Sequence, residues 1–144
     1  MSNHSLNIID KLEKYCKEHG IKITEQRKVI TEVIASSNDH PDVETVFERA
    51  KNLDNNISIA TTYRTIKLLE EAKIIEKHDF GDGKARYELI TAEHHDHLVN
   101  IKTGEIVEFY NEKLEKLKTK IASDLGYKLI DHRLELYAVP LKKE

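Results

Sequence analysis

Residues 92–99, AEHHDHLV, place three histidines within four residues, His94, His95 and His97, with Asp96 between them. Imidazole is the commonest side-chain ligand for metal ions, and a carboxylate is its usual companion. If this stretch is extended, His94 and Asp96 point to one face and His95 and His97 to the other. One short strand could therefore contribute to two separate metal sites, although such a cluster can also be a solvated polar face.

Each face of this strand offers two ligands, whereas a closed metal site needs about four to six. The other candidate ligands, near the ends of or within predicted elements, are His40, Glu88, Glu108, Glu115 and His132. We interpret the remaining histidines, His4, His19 and His78, as ordinary polar residues. Because Cys16 is the single cysteine, neither an internal disulfide nor a Cys₄ zinc site can form within the chain.

The N-terminal part of the chain has the sequence pattern of several helices followed by a β-hairpin. Apolar spacing predicts helices over 6–19, 43–52 and 59–72, and a further helix capped by Thr24. Residues 73–90 then indicate two strands around a GDG turn. This order is typical of a winged helix-turn-helix domain, in which 43–52 and 59–72 form the helix pair.

The sequence pattern of the C-terminal part predicts a small α/β unit. The sequence predicts a hairpin over 97–109 turning at KTGE, a helix over 111–125 and a last strand over 127–139. So small a unit buries little surface, which favours dimerisation. We expect the boundary between the two parts near residues 90–93.

The composition excludes several classes of protein. The chain has 144 residues, 39% hydrophobic and 34% charged, which suits one or two small globular domains. No apolar run approaches membrane-spanning length, and the N-terminus has a helix pattern rather than that of a signal peptide. We therefore expect a cytoplasmic protein without a membrane partner. The net charge of −3 requires any DNA-binding face to be local.

The predicted helix 59–72 carries small and long polar groups in its first turns, as a recognition helix in the major groove does. The candidate DNA-binding residues are Lys22, Arg27, Thr61, Thr62, Tyr63 and Arg64. Of these, Tyr63 could contact a thymine methyl group or a phosphate, or could belong to the core. Helix-turn-helix units also mediate protein contacts, so this pattern alone leaves both interpretations open.

Five stretches carry a more specific signal. They are GIKITEQRKVI (20–30), ISIATTYRTIKLLEEAKII (57–75), GDGKARYEL (81–89), HHDHLVNIKTGEIVEF (94–109) and GYKLIDHRLELYAV (126–139). Together they resemble the ferric uptake regulator (Fur) family of metal-dependent repressors over nearly the whole chain. The resemblance implies an α+β protein with a winged-helix DNA-binding domain, residues 1–90, and an α/β dimerisation and metal-binding domain, residues 91–144.

The resemblance also implies two metal sites. The sensing site would comprise His40, Glu88, His95, His97 and Glu108. The second site would comprise His94, Asp96, Glu115 and His132. The implied function is not enzymatic: a homodimer that, when metallated, binds palindromic AT-rich operators and represses metal-uptake genes.

The chain departs from the family at the cysteines. Many members carry a CxxC pair that holds a structural zinc, but the corresponding stretch here is VNIKTG, so we expect no structural Cys₄ zinc. Imidazole and carboxylate ligands suit Fe²⁺ or Mn²⁺, with Zn²⁺ or Co²⁺ possible in vitro. Two other functions remain open on the pattern: a metal-independent winged-helix regulator with vestigial ligands, and a non-haem metalloenzyme.

Overall fold

A computed structural model describes residues 3–81, 83–90 and 94–142, with side chains from Ile8 onward in these ranges. The chain forms two compact units, residues 1–91 and 92–144. The predicted boundary near 90–93 falls largely on 91–93, outside the described residues. The central residue of the predicted GDG turn, Asp82, also lies outside them.

In its described part, the first unit has four helices followed by a two-stranded antiparallel sheet. The elements are α1 (Asn3–Glu18), α2 (Glu25–Ser36), α3 (Val43–Leu53), α4 (Ile59–Glu71), β1 (Ile75–Asp79) and β2 (Ala85–Leu89). The side chains of Thr24, Asp42 and Ser58 cap α2, α3 and α4 by accepting a hydrogen bond from the backbone N–H three residues on. None of the helices in the described part of the chain has the length and apolar character to cross a bilayer.

The core of the first unit lies between the helices and β1–β2. Its fully buried members include Leu12, Ile30, Val46 and Leu69, one from each helix. The single cysteine, Cys16, belongs to the same core, as the helical pattern predicts.

The inward face of α4 includes two threonines and excludes Tyr63, which the sequence left open as a core residue. Ile59 and Tyr63 are exposed, whereas Thr62 and Thr65 are fully buried beside Leu69. The Thr62 hydroxyl donates to the Ser58 carbonyl at 3.0 Å and the Thr65 hydroxyl donates to a carbonyl one turn back at 2.8 Å. Because the helix itself satisfies these hydroxyls, threonine can occupy the core, and the apolar stripe is turned away from Tyr63.

Between residues 94 and 142, the second unit has a three-stranded sheet and one helix. Its elements are β3 (Asp96–Asn100), β4 (Ile106–Phe109), α5 (Glu112–Asp124) and β5 (Glu135–Ala138). The strand order is β4-β3-β5, with β3 antiparallel to β4 and parallel to β5. The hairpin predicted at 97–109 is therefore confirmed.

The last strand is shorter than predicted. Strand β5 covers 135–138 rather than 127–139, because its neighbour β3 begins at Asp96 and pairs with it from His97↔Glu135 to Asn100↔Ala138. The His97 backbone N–H donates to the Leu134 carbonyl at 3.4 Å, where the pairing with β3 begins. No strand of the described residues flanks 127–133, and that segment stays irregular.

Large apolar side chains lie exposed on the second unit. Helix α5 has no buried residue among those described, and the exposed apolar side chains of this unit include Ile101, Leu117, Ile121, Leu125, Tyr127, Ile130, Leu136 and Tyr137. On the strands of this unit, Ile101 and Leu136 are exposed, whereas Val99 is buried within the chain. An apolar surface of this extent is typical of a protein interface.

Candidate metal centres and nucleic-acid interface

His40 lies in the loop between α2 and α3. Its backbone is in the left-handed region, with φ of 52°, and its side chain is buried. Arg49 on α3 holds the preceding residues by donating to both carboxylate oxygens of Asp39, at 2.9 and 2.6 Å, and to the Ser37 hydroxyl at 2.9 Å. This anchoring maintains a backbone conformation that is uncommon for a residue with a side chain.

The same loop is attached to β2. The Tyr87 backbone N–H donates to the Pro41 carbonyl at 3.0 Å, which brings His40 beside the next residue of β2, Glu88. His40 Nε2 lies 2.7 Å from Glu88 Oε2, and His78 Nε2 lies 2.6 Å from Glu88 Oε1. One carboxylate therefore bridges two buried imidazoles.

The interpretation of His78 as an ordinary polar residue is wrong. His78 is buried, and its contact with Glu88 follows from the β1–β2 register, in which Glu76 lies opposite Glu88. Because side chains two residues apart share a face, His78 and Glu76 project on the side of Glu88. The sequence contained a signal for this contact, because a hairpin that turns at GDG sets the cross-strand register and so places Glu76 opposite Glu88.

The second unit brings His95, His97 and Glu108 together. His97 and Glu108 are direct partners across the β3–β4 ladder, so their side chains share a face. The His95 and His97 rings lie 5.0 Å apart, and His95 Nε2 is 3.5 Å from Glu108 Oε1. Of the five residues in the predicted sensing site, the first unit thus presents His40 and Glu88 as one pair, and the second unit presents the other three.

The second predicted site is assembled within one unit from three different segments. His94 Nε2 lies 3.1 Å from both Asp96 Oδ1 and Glu115 Oε1, and His132 Nε2 lies 3.3 and 3.5 Å from the same two oxygens. Ligand atoms about 2.1 Å from a tetrahedral ion lie about 3.4 Å from one another. The four observed N···O separations are therefore close to those between ligand atoms around a single divalent ion.

Burial and charge suit this cluster to a cation. The Asp96 carboxylate is 2% exposed, and burial raises its pKa. The hydrogen bond with His94, the charge of Lys118 and the hydrogen bond with His132 outweigh that effect, so the Asp96 pKa lies below its ordinary value. Glu115 Oε2 is also buried, and Lys118 Nζ lies 3.4 Å from it. One buried and one partly buried carboxylate with two imidazoles form a donor set that suits a divalent transition metal.

Sulfur contributes to neither cluster. Burial raises the pKa of the Cys16 thiol, against the opposing charge of Arg27, so this thiol lacks the thiolate character of a metal ligand. Since the chain has no other cysteine, the predicted absence of a structural CxxC zinc site is confirmed.

Helix α4 presents an exposed polar face in its first turns. Tyr63 and Arg64 are exposed, and Arg64 Nη2 lies 3.4 Å from Thr61 Oγ1. At the start of α2, Arg27 Nη1 donates to the carbonyl of exposed Lys22 at 2.6 Å. These five side chains remain candidates for DNA contact.

Thr62 must be removed from the predicted DNA-binding set. Its side chain is fully buried, and its hydroxyl donates to the Ser58 carbonyl within the helix. It packs in the core of the first unit, where it cannot reach a base edge.

The comparisons with known proteins agree with this arrangement. Residues 18–137 match the family model "Ferric uptake regulator family". The chain is 53% identical over 133 residues to the ferric uptake regulation protein of Rhizobium leguminosarum bv. viciae, covering 92% of this chain and 94% of the relative.

Two solved structures extend the likeness to the fold. A zinc-bound manganese uptake regulator is 51% identical, with a TM-score of 0.74 and coverage of 91% of this chain and 99% of that one. The Helicobacter pylori ferric uptake regulator, described as having three functional metal-binding sites, is 26% identical, with a TM-score of 0.89 and coverage of 98% and 95%. These matches exclude the metalloenzyme alternative: the chain belongs to the ferric uptake regulator family and is a metal-responsive, DNA-binding transcriptional repressor with an N-terminal winged-helix domain and a C-terminal dimerisation domain.

Proposed function

We propose that this chain is a manganese-responsive repressor that binds a palindromic AT-rich operator as a homodimer and controls metal-uptake genes. The observation that carries the metal-responsive role is the donor chemistry: both clusters offer imidazole and carboxylate, without sulfur. Carboxylate-rich sets suit Mn²⁺ and Fe²⁺ alike. Manganese is favoured because a solved relative at 51% identity is a manganese uptake regulator, although the Rhizobium relative is named for iron.

We assign DNA binding to residues 1–90 and dimerisation and metal binding to residues 91–144, in a cytoplasmic protein. The exposed apolar side chains of α5 and β5 support a homodimer interface, because water contact with so much apolar surface is unfavourable in a monomer.

We further propose that His40, Glu88, His95, His97 and Glu108 hold one regulatory ion. His40 and Glu88 belong to the unit that carries α4, and the other three residues belong to the dimerisation unit. Coordination by both sets would restrict the DNA-binding unit relative to the dimer. Since two half-sites on DNA have a fixed spacing, such a restriction favours the operator-binding arrangement.

Prediction on metal response: Mn²⁺ should raise the affinity of the chain for an AT-rich palindromic duplex by about tenfold or more, the range expected for coupled binding sites. Fluorescence anisotropy with and without Mn²⁺, on the wild type and on His97→Ala, measures this effect. The His97→Ala protein should keep its helical circular-dichroism spectrum and lose the increase. Equal affinities with and without metal would instead indicate vestigial ligands.

A cellular reporter separates manganese from iron. An operator–reporter fusion should be repressed in metal-depleted cells after Mn²⁺ is supplied and should remain expressed after iron is supplied. Repression by iron in manganese-depleted cells would contradict the choice of manganese and leave the metal-dependent repressor intact.

Prediction on the recognition helix: Arg64→Ala should weaken operator binding by about 1–3 kcal/mol and leave Mn²⁺ affinity unchanged. The Arg64 side chain is exposed on α4 and is not needed for the core. Lys120→Ala on α5 removes the same charge from the other unit and serves as the control. If Arg64→Ala binds the operator as tightly as this control, α4 does not read the DNA through Arg64.

Prediction on metal removal: EDTA should strip essentially all metal, and the metal-free chain should remain folded and dimeric. Nitrogen and oxygen ligands release metal to a strong chelator more readily than a Cys₄ site does, and the apolar core involves no metal ligand. Elemental analysis, circular dichroism and light scattering of one sample check all three statements. If one zinc per chain remained after EDTA treatment, or if the treated chain unfolded into monomers, the second cluster would have a structural role.

A further inference from the structure

A lysine lies inside the second metal cluster. Lys118 Nζ is 3.5 Å from Asp96 Oδ2 and 3.4 Å from Glu115 Oε2, and its side chain is 17% exposed. Lys118 and Glu115 are three residues apart on α5, so they share a helix face and turn together toward β3. A largely buried ammonium group requires compensating charge, and these two carboxylates provide it.

This position is specific to Lys118. The neighbouring lysines of α5, Lys116 and Lys120, are exposed and pair with Glu112 at 3.2 Å and Asp124 at 2.6 Å along the helix surface. Such exposed pairs contribute little to stability. Lys118 instead directs its charge toward the buried carboxylates.

The carboxylates divide their oxygens between two kinds of partner. His94 and His132 contact Asp96 Oδ1 and Glu115 Oε1, whereas Lys118 contacts Asp96 Oδ2 and Glu115 Oε2. The four atoms that fit a divalent ion therefore remain available. However, an ion bound by these atoms would share both carboxylates with the positively charged Lys118. The lysine also contacts the second oxygen of each carboxylate, which bidentate coordination would use.

We propose that Lys118 is an internal cation that stabilises the second cluster in the metal-free protein and lowers its affinity for divalent metal. The inference rests on the proposed role of His94, Asp96, Glu115 and His132 as a metal site. Two carboxylates balance one divalent ion, so the ammonium leaves the occupied site with an excess positive charge. In the metal-free chain the same ammonium offsets the repulsion between the carboxylates.

Two other roles for Lys118 give different results. If the lysine positions the carboxylates for metal, its removal weakens metal binding. If it acts through the packing of its aliphatic stem, Lys118→Met retains that packing and changes neither the metal affinity nor the metal-induced rise in Tm.

The experiment is a calorimetric titration of the full-length, EDTA-treated chain with Mn²⁺, and melting of the same proteins with and without Mn²⁺. Lys118→Met removes the charge, and Lys118→Arg retains it. Lys120→Met removes an equal charge from the exposed surface of the same helix and is the matched control. The His132→Ala titration identifies the binding step of the second site by its loss.

In Lys118→Met we expect the affinity of the second cluster for Mn²⁺ to rise by about tenfold or more. The metal-free form should melt at a lower temperature and the metal-induced rise in Tm should increase. Lys118→Arg and Lys120→Met should titrate and melt as the wild type does. An unchanged or weaker second step in Lys118→Met, or the same tightening in Lys120→Met, would overturn the role of Lys118 while leaving the metal site in place. No second step in any of the proteins would overturn both.

Discussion

Buried carboxylates set the main constraint on this structure. Glu88 in the first unit and Asp96 in the second are largely removed from water, and an ionised carboxylate in that position is unfavourable unless cations or hydrogen-bond donors surround it. Histidine nitrogens face both groups: His40 and His78 at Glu88, and His94 and His132 at Asp96. The remaining architecture serves to bring these groups together from distant parts of the chain.

Different elements meet the constraint in each unit. In the first, the Tyr87–Pro41 backbone hydrogen bond attaches the His40 loop to β2, and Arg49 clamps Asp39 next to that histidine. In the second, β3 presents Asp96 toward α5, and Lys118 adds a positive charge. Neither arrangement needs a thiolate. The candidate metal ligands therefore lie on, or directly beside, helices and strands that form without a thiolate.

Local sequence patterns were sufficient to predict the pairing of the candidate ligands and the start of a helix. Strand alternation separates His94 and Asp96 from His95 and His97, and the structure groups them in the same pairs even though β3 begins only at Asp96. The Thr24 cap of α2 was equally readable, because a cap depends on three or four neighbouring residues.

The missed features depend on tertiary arrangement. His78 required the β1–β2 register, Thr62 required the rotation of α4 about its axis, and Lys118 required the rotation of α5 against the sheet. A polar residue type did not exclude burial in any of these positions, since a helix carbonyl or a buried carboxylate satisfies the polar group. The length of β5 likewise depended on its partner strand.

In the proposed repressor, the binding of metal and the binding of operator are coupled. Coupling is reciprocal, so the operator must raise the affinity for Mn²⁺ by the same factor by which Mn²⁺ raises the affinity for the operator. Free Mn²⁺ can be measured by electron paramagnetic resonance during titration of the chain with and without a saturating operator duplex. We expect tighter Mn²⁺ binding with the duplex in the wild type and no difference in His97→Ala. An Mn²⁺ affinity that the duplex leaves unchanged in the wild type would contradict the account.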